Sequence, residues 1–199
     1  MERVDMAPDF VFHPQPMFAI GTKNEDGSAN FCLITWMSFS LDGQPHIAMT
    51  LGGSKQTKTN ILREGAFSAN LITEELLPLA DYFGNVSGRE RAKRAMPYAV
   101  GWGHRVDVPT LAECRWVYEC TVTRVQEQEG SHLILGRIDN IQVDERLAGM
   151  DMKRIDLCAI RPVIYGPYQY FSIGERLGES GDFVPVSFQG MYADGTPKA

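Results

Sequence analysis

Two strand-length runs, Cys114 to Gln126 and Ser131 to Asp144, are joined by only Glu127-Gln128-Glu129-Gly130. A link that short and polar, with a glycine to turn the chain, makes the two runs an antiparallel hairpin and the chain β-rich. The pattern recurs upstream. Met17 to Gly21 is followed by the turn Asn24-Glu25-Asp26-Gly27 and by Ala29 to Ser40, a hairpin on an Asp-Gly turn. A second Asp-Gly, Asp42-Gly43, leads into the strand His46 to Leu51. Consecutive hairpins of this kind give an antiparallel meander.

Short helices interrupt the strands. Thr57 or Thr59 is placed to cap a helix running through Asn60 to Glu64 and stopping at Gly65, after which Ala66 to Ile72 is strand-like. Thr73, followed by Glu74 and Glu75, opens a second helix that ends near Gly84. Ser87-Gly88-Arg89-Glu90 has the form of a capping box, so Ser87 and Glu90 start a further helix carrying Arg91, Lys93 and Arg94. Cys114 and Cys120 fall on one face of a strand, and with Cys32 and Cys158 they show no Cys-x-x-Cys spacing. All four are expected to be reduced core thiols.

The 199 residues, 44% of them hydrophobic, suit one domain with a continuous core. The formal net charge of −6 argues against nucleic acid or an anionic membrane as partner. What basic charge is clustered, at Lys55/Lys58 and Arg89/Arg91/Lys93/Arg94, suits a small anion. Met1-Glu2-Arg3-Val4-Asp5 has no apolar leader core and no stretch is apolar enough to span a bilayer, so a cytoplasmic location is the default expectation. His13, His46, His104 and His132 are scattered without a His-Glu-x-x-His pattern, which disfavours metal catalysis, and there is no Gly-x-Ser-x-Gly elbow. The Gly/Pro-rich tail from Gly178 to Ala199 reads as loosely packed or partner-dependent.

One loop has the chemistry of a phosphate site. After His46 to Leu51 the chain runs Gly52-Gly53-Ser54-Lys55-Gln56-Thr57-Lys58-Thr59 into a helical pattern. Glycines permit a tight turn, hydroxyls and amides donate to oxyanions, lysines add charge, and a helix N-terminus follows. The order is neither a P-loop nor a dinucleotide fingerprint. Taken alone, the loop reads somewhat more readily as a polar turn with solvated lysines ahead of a capped helix, and Trp36 by residue type alone is more often a core side chain than a ligand contact.

Taken together, these residues resemble a known family. Asn30 with Trp36 after the first hairpin, Ser54 and Thr57 before Asn60-Ile61, and Glu64-Gly65-Ala66-Phe67-Ser68-Ala69-Asn70 are similar to the flavin reductase-like proteins with an FMN-binding split barrel, the flavoredoxin branch most of all. The resemblance continues through Ser87-Gly88-Arg89 with Lys93, Pro109-x-Leu111, Glu119-Cys120, Gly130-Ser131-His132 with Gly136, and Tyr165 to Gly174. It covers roughly Phe10 to Gly178, and it rests on the order and spacing of these motifs rather than on any one of them. It implies a single domain over residues 1–178 with a tail at 179–199 that is loosely ordered or packs on a partner subunit.

The implied fold is a mainly β, six-stranded antiparallel, Greek-key-like split barrel with a few inserted short helices, binding FMN as a homodimer with each flavin near the interface. Carried over by motif, Asn30 and Trp36 would contact the flavin, and backbone N–H groups around Cys32, Leu33 and Ile34 would face the isoalloxazine edge. Ser54, Lys55 and Thr57 would take the phosphate with help from Lys93. His132 and an aromatic among Tyr168, Tyr170 and Phe171 would complete the pocket, the aromatic from across the interface. No general acid or base is assigned, because the redox chemistry is the cofactor's. The implied function is a flavoredoxin-type electron carrier fed by a redox partner protein. The alternatives are an NAD(P)H-dependent flavin reductase and a non-catalytic FMN-binding module. Relatives that take hydride from a nicotinamide often show Gly-Asp-His where this chain has Gly130-Ser131-His132, and often lack a tryptophan at the position of Trp36, which favours the carrier.

Overall fold

The computed structural model describes residues 3–5, 7, 14–87, 97–151, 155–166, 168–180 and 182–183. The proposed helix with Arg91, Lys93 and Arg94, and most of the tail, lie outside them. Seven strands form the main sheet: β2 (Phe18–Lys23), β3 (Ala29–Ile34), β4 (Met37–Asp42), β5 (Gln44–Gly52), β6 (Ala66–Leu71), β9 (Trp116–Gln128) and β10 (Ser131–Val143). Their spatial order is β3-β2-β6-β9-β10-β5-β4, and every pairing is antiparallel. The run Ala29 to Ser40, expected as one strand, is broken at Thr35-Trp36 into β3 and β4.

That break closes the sheet. β3 and β4 stand at the two ends of the spatial order, yet only two residues separate them in sequence, so the sheet must curl until its ends meet. Counted as one bent strand, β3 and β4 give the six strands expected. A single apolar cluster confirms the curl, drawing Ile20, Ile34, Met49, Phe67 and Ile134 from strands all round the sheet, with Ile61 of helix α1 (Gln56–Glu64) closing one end. Gly136 is obligatory inside it, since a Cβ there would lie 2.5 Å from the Phe67 ring.

The opposite faces of β2 and β3 are covered too. Ala19 and Phe31 pack with Ile72, Leu76, Ala80 and Phe83 beneath helix α2 (Leu77–Asn85), which follows a 3-10 turn, Glu74–Leu76. Phe83 stacks on Phe31 at 5.5 Å and meets Tyr98 edge-on at 5.2 Å. Two small sheets complete the molecule. One joins β1 (Gln15–Pro16), β11 (Val163–Gly166) and β12 (Gln169–Ser172), the other β7 (Val100–Trp102) and β8 (Pro109–Leu111).

Glu119 of β9 is the buried charge of the fold. It is fully buried and accepts backbone hydrogen bonds from His104, Arg105 and Val106 at 3.0, 2.8 and 2.8 Å, and side-chain bonds from Asn140 and Gln142 at 2.6 and 2.9 Å. Burial pushes its carboxyl up, but the donors led by Gln142 and Asn140 outweigh it and hold it down at about 2. The carboxylate thereby folds the 103–108 loop against the barrel. Gly103 has no side chain because a Cβ would sit 2.8 Å from Glu119 Oε2 and 2.1 Å from Val106 O.

Three local expectations are corrected. Cys114 precedes β9 in a turn, so it does not share a strand face with Cys120. None of the four cysteines is in a disulfide, but only Cys32 and Cys120 are buried; Cys114 is half-buried and Cys158 exposed. Neither Thr57 nor Thr59 caps α1. Lys55 holds the N-cap position without any side-chain cap, whereas Gly65 ends the helix in the left-handed region as expected. No helix among the described residues is long and apolar enough to cross a membrane.

Candidate functional site

The β5–α1 turn is shaped by its glycines. Gly53 adopts φ +64 and donates its N–H to Gly130 O at 3.0 Å, which ties the turn to the β9–β10 hairpin. Lys55 is still extended, and α1 then starts with no side-chain cap and no acidic residue in its first turn. Its first amides therefore lack intrahelical partners and lack the substitutes a capped helix has.

Beneath the helix lies a polar network. Asn30 Nδ2 donates to Thr57 Oγ1 at 2.8 Å and to Thr22 Oγ1 at 3.1 Å, and Asn60 Nδ2 donates to Thr22 Oγ1 and to Asn24 Oδ1 at 3.1 and 2.9 Å. Gln56 Nε2 donates to Asn60 Oδ1 at 2.8 Å. These bonds fix α1 on β2 and β3. Thr57 is only 1% exposed, and because its oxygen accepts from Asn30, its own proton is left to donate.

A cleft of about 270 Å³ opens between this turn and the end of α2. Gly52 to Thr57 form one wall, Phe83 to Ser87 the other, and Asn30 and Cys32 of β3 lie between. Among the described residues the lining carries one ammonium, Lys55, and no carboxylate. β3 pairs with β2 alone among the described residues, so half of its backbone groups face away from any strand at this edge. A neighbouring cleft of about 360 Å³ shares Gly53, Ser54 and Lys55 and is bounded by Lys58, Thr59, Ser131 and His132. His132 Nδ1 is buried without a hydrogen-bond partner among the described residues, an unusual state for a buried donor or acceptor.

The structure thus brings together Asn30, Cys32, Ser54, Lys55 and Thr57, with His132 across the shared turn. Leu33 and Ile34 do not line this cleft: Ile34 packs in the barrel core and Leu33 under α2, where it limits the space at Gly84. Trp36 is elsewhere. At 45% exposed it is no core residue, and it lines a separate apolar cleft of about 470 Å³ with Phe18, Met37, Phe39 and Leu133. Tyr168, Tyr170 and Phe171, on or beside β12, line none of these clefts. Lys93 lies outside the described residues. The α2 wall, with Asn85 and Ser87, was missed in the sequence because a helix end gives no sign of what it faces.

Comparison with known proteins identifies the family and the fold. The family described as flavin reductase like domain matches residues 10–174. The flavoredoxin of Desulfovibrio vulgaris (Miyazaki F) is 25% identical with a TM-score of 0.82, covering 92% of this chain and 99% of that one. A split-barrel protein of the flavin reductase type from Shewanella frigidimarina is 20% identical with a TM-score of 0.74, covering 84% and 85%. An FMN-binding protein from Thermus thermophilus is 21% identical with a TM-score of 0.72, covering 90% and 98%. No curated protein matches the chain. With its family match spanning the barrel and its fold shared with these structures, the chain belongs to the flavin reductase-like family and has its split-barrel fold.

Proposed function

We propose that the chain binds FMN with its phosphate in the β5–α1 cleft and serves as a flavoredoxin-type electron carrier. The observation that carries this reading is the uncapped start of α1, opening into a cleft whose described lining has one ammonium and no carboxylate. An anion there satisfies the free amides and the helix dipole together. Ser54, Lys55 and Thr57 supply charge-assisted donors, Thr57 with its proton directed outward by Asn30. The outward-facing amides of β3 within Cys32 to Ile34, which alternate along the strand, suit the polar rim of a flavin ring, and His132 Nδ1, without a partner among the described residues, suits a ligand group at the shared turn. Bound FMN supplies one- and two-electron redox chemistry, and the chain's residues bind it, orient it and set the polarity around it.

Residues 1–178 act as one unit in this reading, and a homodimer completes it. Trp36 and Phe39, 45 and 61% exposed, line the apolar cleft, and Leu41 further along β4 is 82% exposed, apolar surface that a second copy would cover. Phe171, half exposed on β12, would reach a flavin only from that second copy.

The test is anaerobic reduction of the flavin-loaded protein. Flavin absorption that persists with NADH and NADPH, but bleaches with a reduced iron–sulfur electron-transfer protein, is the expected result. Bleaching by either nicotinamide at about 1 s⁻¹ or faster would instead make the protein a flavin reductase.

A further inference from the structure

We infer that Asn85, held in place by Asp81 and through it by Tyr170, accepts a hydrogen bond from the hydroxylated ribityl chain of the flavin. This rests on the flavin reading above and assigns an acceptor to the wall opposite Ser54, Lys55 and Thr57. Asn85 is the last residue of α2 and lines the cleft opposite Ser54 and Thr57. Its Nδ2 donates to Asp81 O at 2.9 Å and to Asp81 Oδ1 at 3.0 Å. A carboxylate can only accept, so the amide nitrogen must face Asp81 and the carboxamide oxygen is left over. That oxygen has no partner among the described residues.

Asp81 is itself fixed from the other side. Tyr170 of β12 donates its hydroxyl to the same Oδ1, and Tyr165 of β11 packs against the Tyr170 ring at 6.0 Å. The chain Tyr170–Asp81–Asn85 therefore links the C-terminal hairpin to the cleft wall. Burial, and then the bond to Asp81, push the Tyr170 phenol up to about 12, so it remains a donor across the physiological range.

The identity of the ligand group follows from donor–acceptor matching. Phosphate oxygens and flavin carbonyls are acceptors and cannot pair with a carboxamide oxygen, and the ring's one N–H donor, at N3, lies at the far end of the flavin from the phosphate. The ribityl hydroxyls are donors, and they adjoin the phosphate that the opposite wall is built to hold. A cleft of about 270 Å³ suits the phosphate and its chain, with the ring extending along the β3 edge. Tyr170 is thus a positioning residue acting through Asp81 rather than a direct cofactor contact.

The test is a double-mutant cycle on the full chain, titrating FMN and riboflavin by flavin fluorescence. Asn85→Ala is expected to weaken both flavins alike, about five- to tenfold. Tyr170→Phe should weaken both about threefold in the wild-type background and add nothing in the Asn85→Ala background. Asp81→Ala provides a second route and should match Asn85→Ala on both ligands. A Tyr170→Phe effect that is absent, undiminished without Asn85, or confined to FMN would overturn the inference while leaving the flavin reading intact. Wild-type protein that binds neither flavin would overturn both.

Discussion

Thr57 and Glu119 are both buried polar residues, and the structure gives them opposite kinds of work. Thr57 has one lone pair used by Asn30 and a proton left over, so its contribution is predicted to appear mainly in ligand affinity. Thr57→Val should weaken FMN about tenfold while leaving riboflavin within about twofold, as judged by fluorescence titration. Equal losses for both flavins would remove the hydroxyl from the phosphate site. Glu119 is satisfied on every side by protein donors and has none to offer a ligand. Its carboxyl is held near 2, below the ordinary 4.5, so its contribution to stability is fully present above pH 4.5 and is lost as pH falls through 2. That contribution is on the order of 3 kcal/mol, and Glu119→Gln should remove it at neutral pH and flatten the acid limb of the stability curve below pH 4.5. Urea unfolding across pH checks this, and an unchanged acid limb would contradict it.

Helix α1 sacrifices stability at the end where the site lies. An N-cap lysine followed by no acid leaves amides unsatisfied that an aspartate would satisfy. Lys55→Asp should therefore stabilise the free protein by about 0.5–1 kcal/mol while weakening FMN more than tenfold, because the new carboxylate competes for the same amides and repels the phosphate. Thermal unfolding without ligand and FMN titration together read the two opposite signs; a change of the same sign in both would contradict the account. This element also marks what was legible in the sequence. Gly65, the Asp-Gly turns and the long hairpin were readable, because turn chemistry and strand length are local. The capping role expected of Thr57 was not, because a threonine beside a helix start is a cap unless a distant Asn30 claims its oxygen. The α2 wall was invisible for the same reason, since only the packing of Gly84 on Leu33 brings Asn85 to the cleft.

At the scale of the whole molecule, closure of the barrel depends on the bend at Thr35-Trp36, which a pattern of apolar residues running from Ala29 to Ser40 conceals. The bend also separates two residues expected to act together. Asn30 stays at the polar cleft, while Trp36 is carried to the apolar one beside Phe39. Within one chain the two clefts are distinct, and the apolar one is the natural place for a second copy. The proposed homodimer would pair through it, so Phe39→Arg should shift the sedimentation of the protein from dimer towards monomer, with secondary structure retained; a monomeric wild-type protein, or an unchanged mass in the variant, would contradict that proposal. The most direct measurement is a crystal structure with FMN bound. The account predicts the phosphate within hydrogen-bond distance of Ser54, Lys55, Thr57 and the first amides of α1, with the ribityl chain against Asn85. A phosphate bound anywhere else, or no FMN bound at all, would contradict it.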